Sequence, residues 1–157
     1  MLLPPALPSG PATRWIFCSK EVWKSINGPW ESSKDQANMG RARGTLDAFT
    51  TGLRINVRIP PSKNVRAHLA LLEDAEEEVW EFRCRDPDPQ IRIFGRFAEK
   101  DLFVAFLTRS KPEVVTDSDY LVAKEEGKRQ WRTFFPSYSP HTGKSPDDYV
   151  SNCAVLG

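Results

Sequence analysis

The 157-residue chain has no apolar run approaching the roughly 20 residues that a transmembrane helix needs, so no helical membrane span is expected. Cysteine is scarce. Cys18, Cys84 and Cys153 are odd in number and widely spaced, which excludes a disulfide framework. With only His68 and His141 beside them, no zinc-ligand spacing arises, and neither metal nor cofactor is expected. Cys84 falls inside a strand pattern and reads as a small buried apolar residue. Such sparse thiols suit a reducing compartment, so a cytoplasmic protein is expected. The opening Met1-Leu-Leu-Pro-Pro-Ala-Leu-Pro8 lacks a basic flank and is interrupted by proline, so it does not read as a signal peptide. Phosphate-binding glycine loop, dinucleotide fingerprint, HExxH, nucleophile elbow and CxxC pair are all missing. Neither histidine sits where a general base is marked by its neighbours.

With 39% apolar and 27% charged residues, the chain lies in the ordinary globular range and is long enough for one domain with a real core. The formal net charge of +1 hides an uneven distribution. Residues 1–72 hold 10 basic and 4 acidic side chains, while residues 73–79 hold 5 acidic and none basic. A local basic groove is therefore compatible with near-neutrality, because anion binding follows the local field.

Residues 1–13, rich in proline, are expected to form a flexible arm, residues 14–135 a single α+β domain, and residues 136–157 an irregular tail. Arg14–Cys18 has the β-branched and aromatic content of a first strand. Trp23, Ile26 and Trp30 recur at helical spacing until Asn27-Gly-Pro29 intervenes. Residues 31–40 read as a loop or weak helix. Leu46, Phe49 and Leu53 then mark an amphipathic helix over 41–53, with Gly52 as its stop signal. Asn64 is positioned to cap a further helix presenting Val65, Leu69 and Leu72. Asp117 or Ser118 can cap a last helix running to about Trp131.

The strongest local pattern is a three-stranded meander over 80–111. Trp80, Phe82 and Cys84 alternate with Glu81, Arg83 and Arg85. After the turn Asp86-Pro-Asp-Pro89, Ile91, Ile93 and Phe97 share one face, with Arg92, Phe94 and Arg96 on the other. A third strand follows from Leu102 to Leu107. Matching apolar faces sets Phe82 opposite Ile93 and Cys84 opposite Ile91, and on the third strand Leu102 opposite Phe97 and Phe106 opposite Ile93. Arg83 then lies opposite Arg92. Two like charges across a ladder need an anion between them, supplied either by Glu81 on the diagonal or by an external group such as a phosphate.

The segment Leu72-Glu-Asp, Val79-Trp-Glu-Phe-Arg-Cys-Arg85, Ile91-Arg-Ile-Phe94 and Asp101-Leu-Phe-Val-Ala-Phe-Leu-Thr-Arg-Ser-Lys111 resembles the RelE/HigB toxin superfamily, over roughly residues 70–132. The resemblance implies a RelE-like α+β fold: a small antiparallel sheet, the meander plus an N-terminal strand, packed against two or three helices. It implies a toxin-like endoribonuclease that cleaves mRNA on the ribosome without a metal and is neutralised by an antitoxin protein. Arg83, Arg92 and Arg109 would be its catalytic residues, with Arg85, Arg96 and Lys111 binding RNA phosphate. A phage-derived, non-enzymatic interaction protein on the same fold is the alternative, and a gyrase-directed toxin of the ParE type a third. The partners implied are antitoxin, mRNA and ribosome, with a homodimer allowed and no membrane.

Overall fold

The structure, a computed structural model, describes residues 1–3 and 13–157. The arm expected over residues 1–13 thus lies mostly outside the described residues. The elements run β1 (Trp15–Cys18), α1 (Lys20–Asn27), α2 (Ser33–Thr50), β2 (Ile55–Arg58), β3 (Leu69–Leu71), β4 (Trp80–Cys84), β5 (Ile91–Glu99), β6 (Leu102–Ser110), α3 (Asp117–Phe134) and β7 (Cys153–Val155). Seven strands form one sheet in the order β1-β6-β5-β4-β3-β2-β7. The central strands β3 to β6 are antiparallel, whereas β1 joins β6, and β2 joins both β3 and β7, in parallel. The class is α+β, but the expected small antiparallel sheet is corrected to a seven-stranded mixed sheet curled into a half-barrel with three helices.

The physical reason lies in the flanks. The apolar spacing of Val65, Leu69 and Leu72 predicts a helix, yet Leu69–Leu71 form β3, hydrogen-bonded between β2 and β4. A single apolar triplet satisfies either period, and here long-range pairing decides. Residues 136–157, expected to be irregular, run back along the sheet and end in β7 on the outer edge of β2. They also bring Tyr149 and Val150 into the core.

Helix α2 begins earlier than its apolar stripe suggests. Ser32 accepts from the Asp35 amide at 3.1 Å and so caps a start at Ser33. Its buried side chains, Met39, Ala42, Leu46 and Phe49, share one face and pack with α1 against the concave side of the sheet. Gly52, at φ 80°, does end the helix, and a Cβ there would meet the Thr13 hydroxyl at 2.2 Å. Helix α3 is capped by Thr116, not Asp117 or Ser118, with Asp119 returning the hydrogen bond at 2.9 Å. It lies across β5 and β6 on the opposite face, over Phe94, Val104, Phe106 and Leu107.

The deduced register of β4 on β5 is present: Phe82 faces Ile93, Cys84 faces Ile91, and Arg83 faces Arg92. The register deduced for β6 is not. Phe103 lies opposite Phe97, Leu102 opposite Glu99, and Thr108 opposite Ile93. The hairpin turns through only Lys100 and Asp101, the latter at φ 63°, and a bulge follows at Phe94/Gly95. Gly95 is required there, because a Cβ would sit 2.2 Å from the Val104 carbonyl oxygen.

Candidate functional site

Alternation along β4 sends Phe82 and Cys84 into the core beneath α2 and leaves Glu81 and Arg83 on the face that α3 only partly covers. The start of α3 and the strands β2 to β4 enclose a cavity of about 640 Å³, lined among others by Arg58, Leu72, Glu81, Arg83, Tyr120 and Lys124. Glu81 lies at its base with no solvent exposure. Arg83 Nε donates to Glu81 Oε1 at 2.7 Å, and Arg92 Nε stands 3.8 Å from Oε2. The like-charged pair across the ladder is therefore bridged by Glu81. The carboxylate is shared rather than saturated, since Glu81 Oε2, Arg92 Nε and Arg58 Nε are all buried without a hydrogen-bond partner.

The surroundings are cationic. Arg83 and Arg92 flank the carboxylate, and Arg58, whose Nη1 donates to the Ser62 carbonyl at 2.5 Å, lines the same cavity. Burial, and then the charge of Arg83, lowers the Arg58 pKa. Tyr120 packs edge-on against Phe94 at 6.0 Å, and burial followed by the Glu81 charge raises its hydroxyl pKa, so the phenol stays protonated at neutral pH. Lys111 Nζ hangs 5.4 Å above the Tyr120 ring and donates to the Val114 carbonyl at 2.8 Å. At the rim, Lys63 pairs with Glu73, and Lys124 with Asp74 and Glu77. Burial opposes the charge on Lys124, but its hydrogen bonds to Glu77 and Asp74 leave its pKa raised.

The arginines singled out from the sequence separate into distinct settings. Arg83 and Arg92 meet at Glu81. Arg109 pairs with Arg92 in the ladder, yet its guanidinium turns to Glu21 Oε1 at 3.1 Å and lines a different cavity, beside Trp30 and Lys34. Arg96 is buried, stacked 5.6 Å from the Trp131 ring centre and bonded to the Glu77 carbonyl, so it fastens α3 to the sheet. Arg85 donates to the carbonyls of Val65 and Arg66, at 3.0 and 2.6 Å.

Two contributors were not selected from the sequence. Arg58 ends Ile55-Asn-Val-Arg58, whose apolar–polar alternation was the available signal. Tyr120 stands in the first turns of the last helix, α3, with no motif in the sequence to mark it. Burial pushes the thiols of Cys18 and Cys84 up to about 12, and that of Cys153 to about 11, so none supplies a thiolate at neutral pH. Among the described residues no helix is long and apolar enough to cross a membrane. No family model, curated protein or solved structure matches the chain, so its chemistry is read from this geometry.

Proposed function

We propose that the chain is a metal-independent, RNA-cleaving protein whose chemistry runs in the cavity around Glu81. One observation carries this reading: a fully buried carboxylate with one oxygen lacking a hydrogen-bond partner, among three arginines, in the wall of an open cavity. Glu81 supplies a proton acceptor, which arginines cannot be. In the proposed step its Oε2 takes the proton of a ribose 2′-hydroxyl. The 2′-oxygen then bonds to the adjacent phosphorus, and the bond from phosphorus to the 5′-oxygen breaks. Arg58, Arg83 and Arg92 stabilise the charge that develops on the phosphoryl oxygens. Tyr120, protonated at neutral pH, delivers a proton to the departing oxygen. The products are a 2′,3′-cyclic phosphate and a 5′-hydroxyl. The wider setting, with ribosome-held mRNA as substrate and an antitoxin as neutralising partner, rests on the resemblance to RelE/HigB toxins.

A non-enzymatic interaction protein is the second reading, favoured by Arg92, which is only 6% exposed and also bonded to the Gln90 side chain at 3.0 Å. The two separate on purified protein incubated with RNA, free and on translating ribosomes. Cleavage leaving cyclic-phosphate ends, lost in Glu81→Gln, supports the first. Intact RNA in both settings, with Arg92→Ala indistinguishable from the parent, supports the second.

A further inference from the structure

His68 lies at the start of β3, where its amide donates to the Asn56 carbonyl at 2.9 Å and its carbonyl accepts from the Arg83 amide at 2.7 Å. Arg85 Nη2 stands 3.3 Å from His68 Nε2. A guanidinium has no acceptor, so in this contact Nε2 must be the acceptor. The neutral imidazole then carries its proton on Nδ1. Burial, and next the positive charge of Arg85, lowers the His68 pKa and keeps the ring neutral at pH 7. Nδ1–H is thus a donor, and it is buried with no acceptor among the described residues.

The same imidazole lines a cavity of about 260 Å³, together with one face of α2, namely Arg41, Gly44, Thr45 and Ala48, and with Arg54. Asp86 is the one carboxylate in that lining. Arg41 and Arg54 have no hydrogen bond or ion pair among the described residues. Gly44 leaves open space over the helix, with nothing within 4 Å of where a Cβ would stand. A fixed N–H donor and two uncommitted guanidinium groups in one recess are the recognition set for an oxyanion.

The two linings meet at one backbone hydrogen bond, where the amide of Arg83, from the larger cavity, donates to the carbonyl of His68, from this recess, at 2.7 Å. Arg83 and Arg85 are two residues apart on an extended chain, about 7 Å. The charges of Arg83 and Arg92, after burial, also lower the Arg85 pKa.

We propose that His68 Nδ1–H, Arg41 and Arg54 form a second site, which binds a backbone phosphate of the RNA strand whose reacting phosphate occupies the Glu81 cavity. Arg85 is a positioning residue that fixes the His68 tautomer. The ligand assignment rests on the RNA reading, whereas the oxyanion chemistry of the recess does not.

The test follows the His68 imidazole nitrogens by NMR in the full chain, with a 2′-O-methylated hexanucleotide, which cannot be cleaved, and with inorganic phosphate as probes. The free protein is expected to show the Nδ1–H tautomer, and the hexanucleotide to shift the His68 signals. Arg41→Ala and Arg54→Ala, both on the surface, are each expected to weaken hexanucleotide binding roughly tenfold. Each should also reduce the slope of log affinity against log salt by about 1.

An Nε2–H tautomer, or a hexanucleotide that binds without moving His68, overturns the proposal. So does a His68 response to inorganic phosphate with none to the hexanucleotide. If the hexanucleotide binds at His68 but no RNA is ever cut, the chemistry proposed at Glu81 fails and this site stands. If RNA is cut with KM unaltered in Arg41→Ala and Arg54→Ala, this site fails and the chemistry stands.

Discussion

Two buried arginine centres lie on the same sheet and are built on opposite principles. Arg14, with no solvent exposure, donates to the carbonyls of Phe49, Leu53, Ser151 and Asn152 at 2.8, 3.0, 2.6 and 3.3 Å. Its Nε lies 3.7 Å from Asp101, and its guanidinium packs 5.2 Å from the Phe49 ring centre. It ties the end of α2 and the C-terminal segment to β1. The centre at Glu81 has three arginines, one carboxylate and three buried polar atoms without hydrogen-bond partners among the described residues, against one, Nε, at Arg14. Hydrogen bonds spent on carbonyls hold a fold together; a donor excess in an open cavity is free to meet something else.

The largest expected effect breaks the comparison on the structural side. Arg14→Met removes the guanidinium donor to four carbonyls, and the expected loss is about 3 kcal/mol or more of unfolding free energy. Urea unfolding measures it. Arg83→Met, at a half-buried position with one partner, is expected to cost about 1 kcal/mol by the same measurement. Equal losses would show that the two centres do not differ as argued.

The second effect sharpens the comparison on the functional side. Glu81→Gln keeps the shape but removes both the counter-charge and the proton acceptor. RNA cleavage is expected to fall by roughly 100-fold or more. Binding of the uncleavable hexanucleotide should tighten, because one negative charge leaves an arginine cluster. Cleavage at the parental rate would remove Glu81 from the chemistry. Tyr120→Phe comes next, with a loss of roughly tenfold in cleavage and little change in binding. The edge-on contact with Phe94 does not need the hydroxyl.

The sequence carried the meander well, because Trp80, Phe82 and Cys84, then Ile91 and Ile93, alternate over enough residues to fix face and register together. Even the juxtaposition of Arg83 and Arg92 with Glu81 followed from that alternation. What was not legible depends on partners distant in the chain. β2, β3 and β7 are three or four residues long and pair in parallel with segments 12 or more residues away, so no local period identifies them. Arg58 reaches the cavity from such a segment, whereas Tyr120 stands on α3, a helix legible in the sequence whose placement over the sheet is not. The register of β6 failed for a local reason, the two-residue turn and the bulge at Gly95 that an apolar pattern does not encode.

The smallest expected effect concerns the ion pairs that hold α3 over the Glu81 face. Glu77 Oε2 is 2.6 Å from Lys124 Nζ, and Oε1 is 2.9 Å from Lys128 Nζ. The hydrogen bond from Lys124 is the main reason its pKa is lowered; burial opposes the shift and Lys128 adds to it. A carboxylate with a lowered folded-state pKa contributes its full stabilisation above the unfolded carboxylate range, and loses it as pH falls through the folded value. Glu77→Gln is therefore expected to cost under about 1 kcal/mol at pH 7, as half-exposed ion pairs do. The parent and variant stability curves should converge only below the lowered folded-state pKa of Glu77, where the carboxylate is protonated in both states. Glu78, the next residue, runs the other way. It is buried against Tyr149, whose hydroxyl donates to its carboxylate at 2.7 Å, and burial raises its pKa despite that bond. Its contribution therefore grows toward acid pH and falls as pH rises through the raised value. A Glu77→Gln curve parallel to the parent from pH 7 to pH 3 would mean that the lysines on α3 do not anchor it through Glu77.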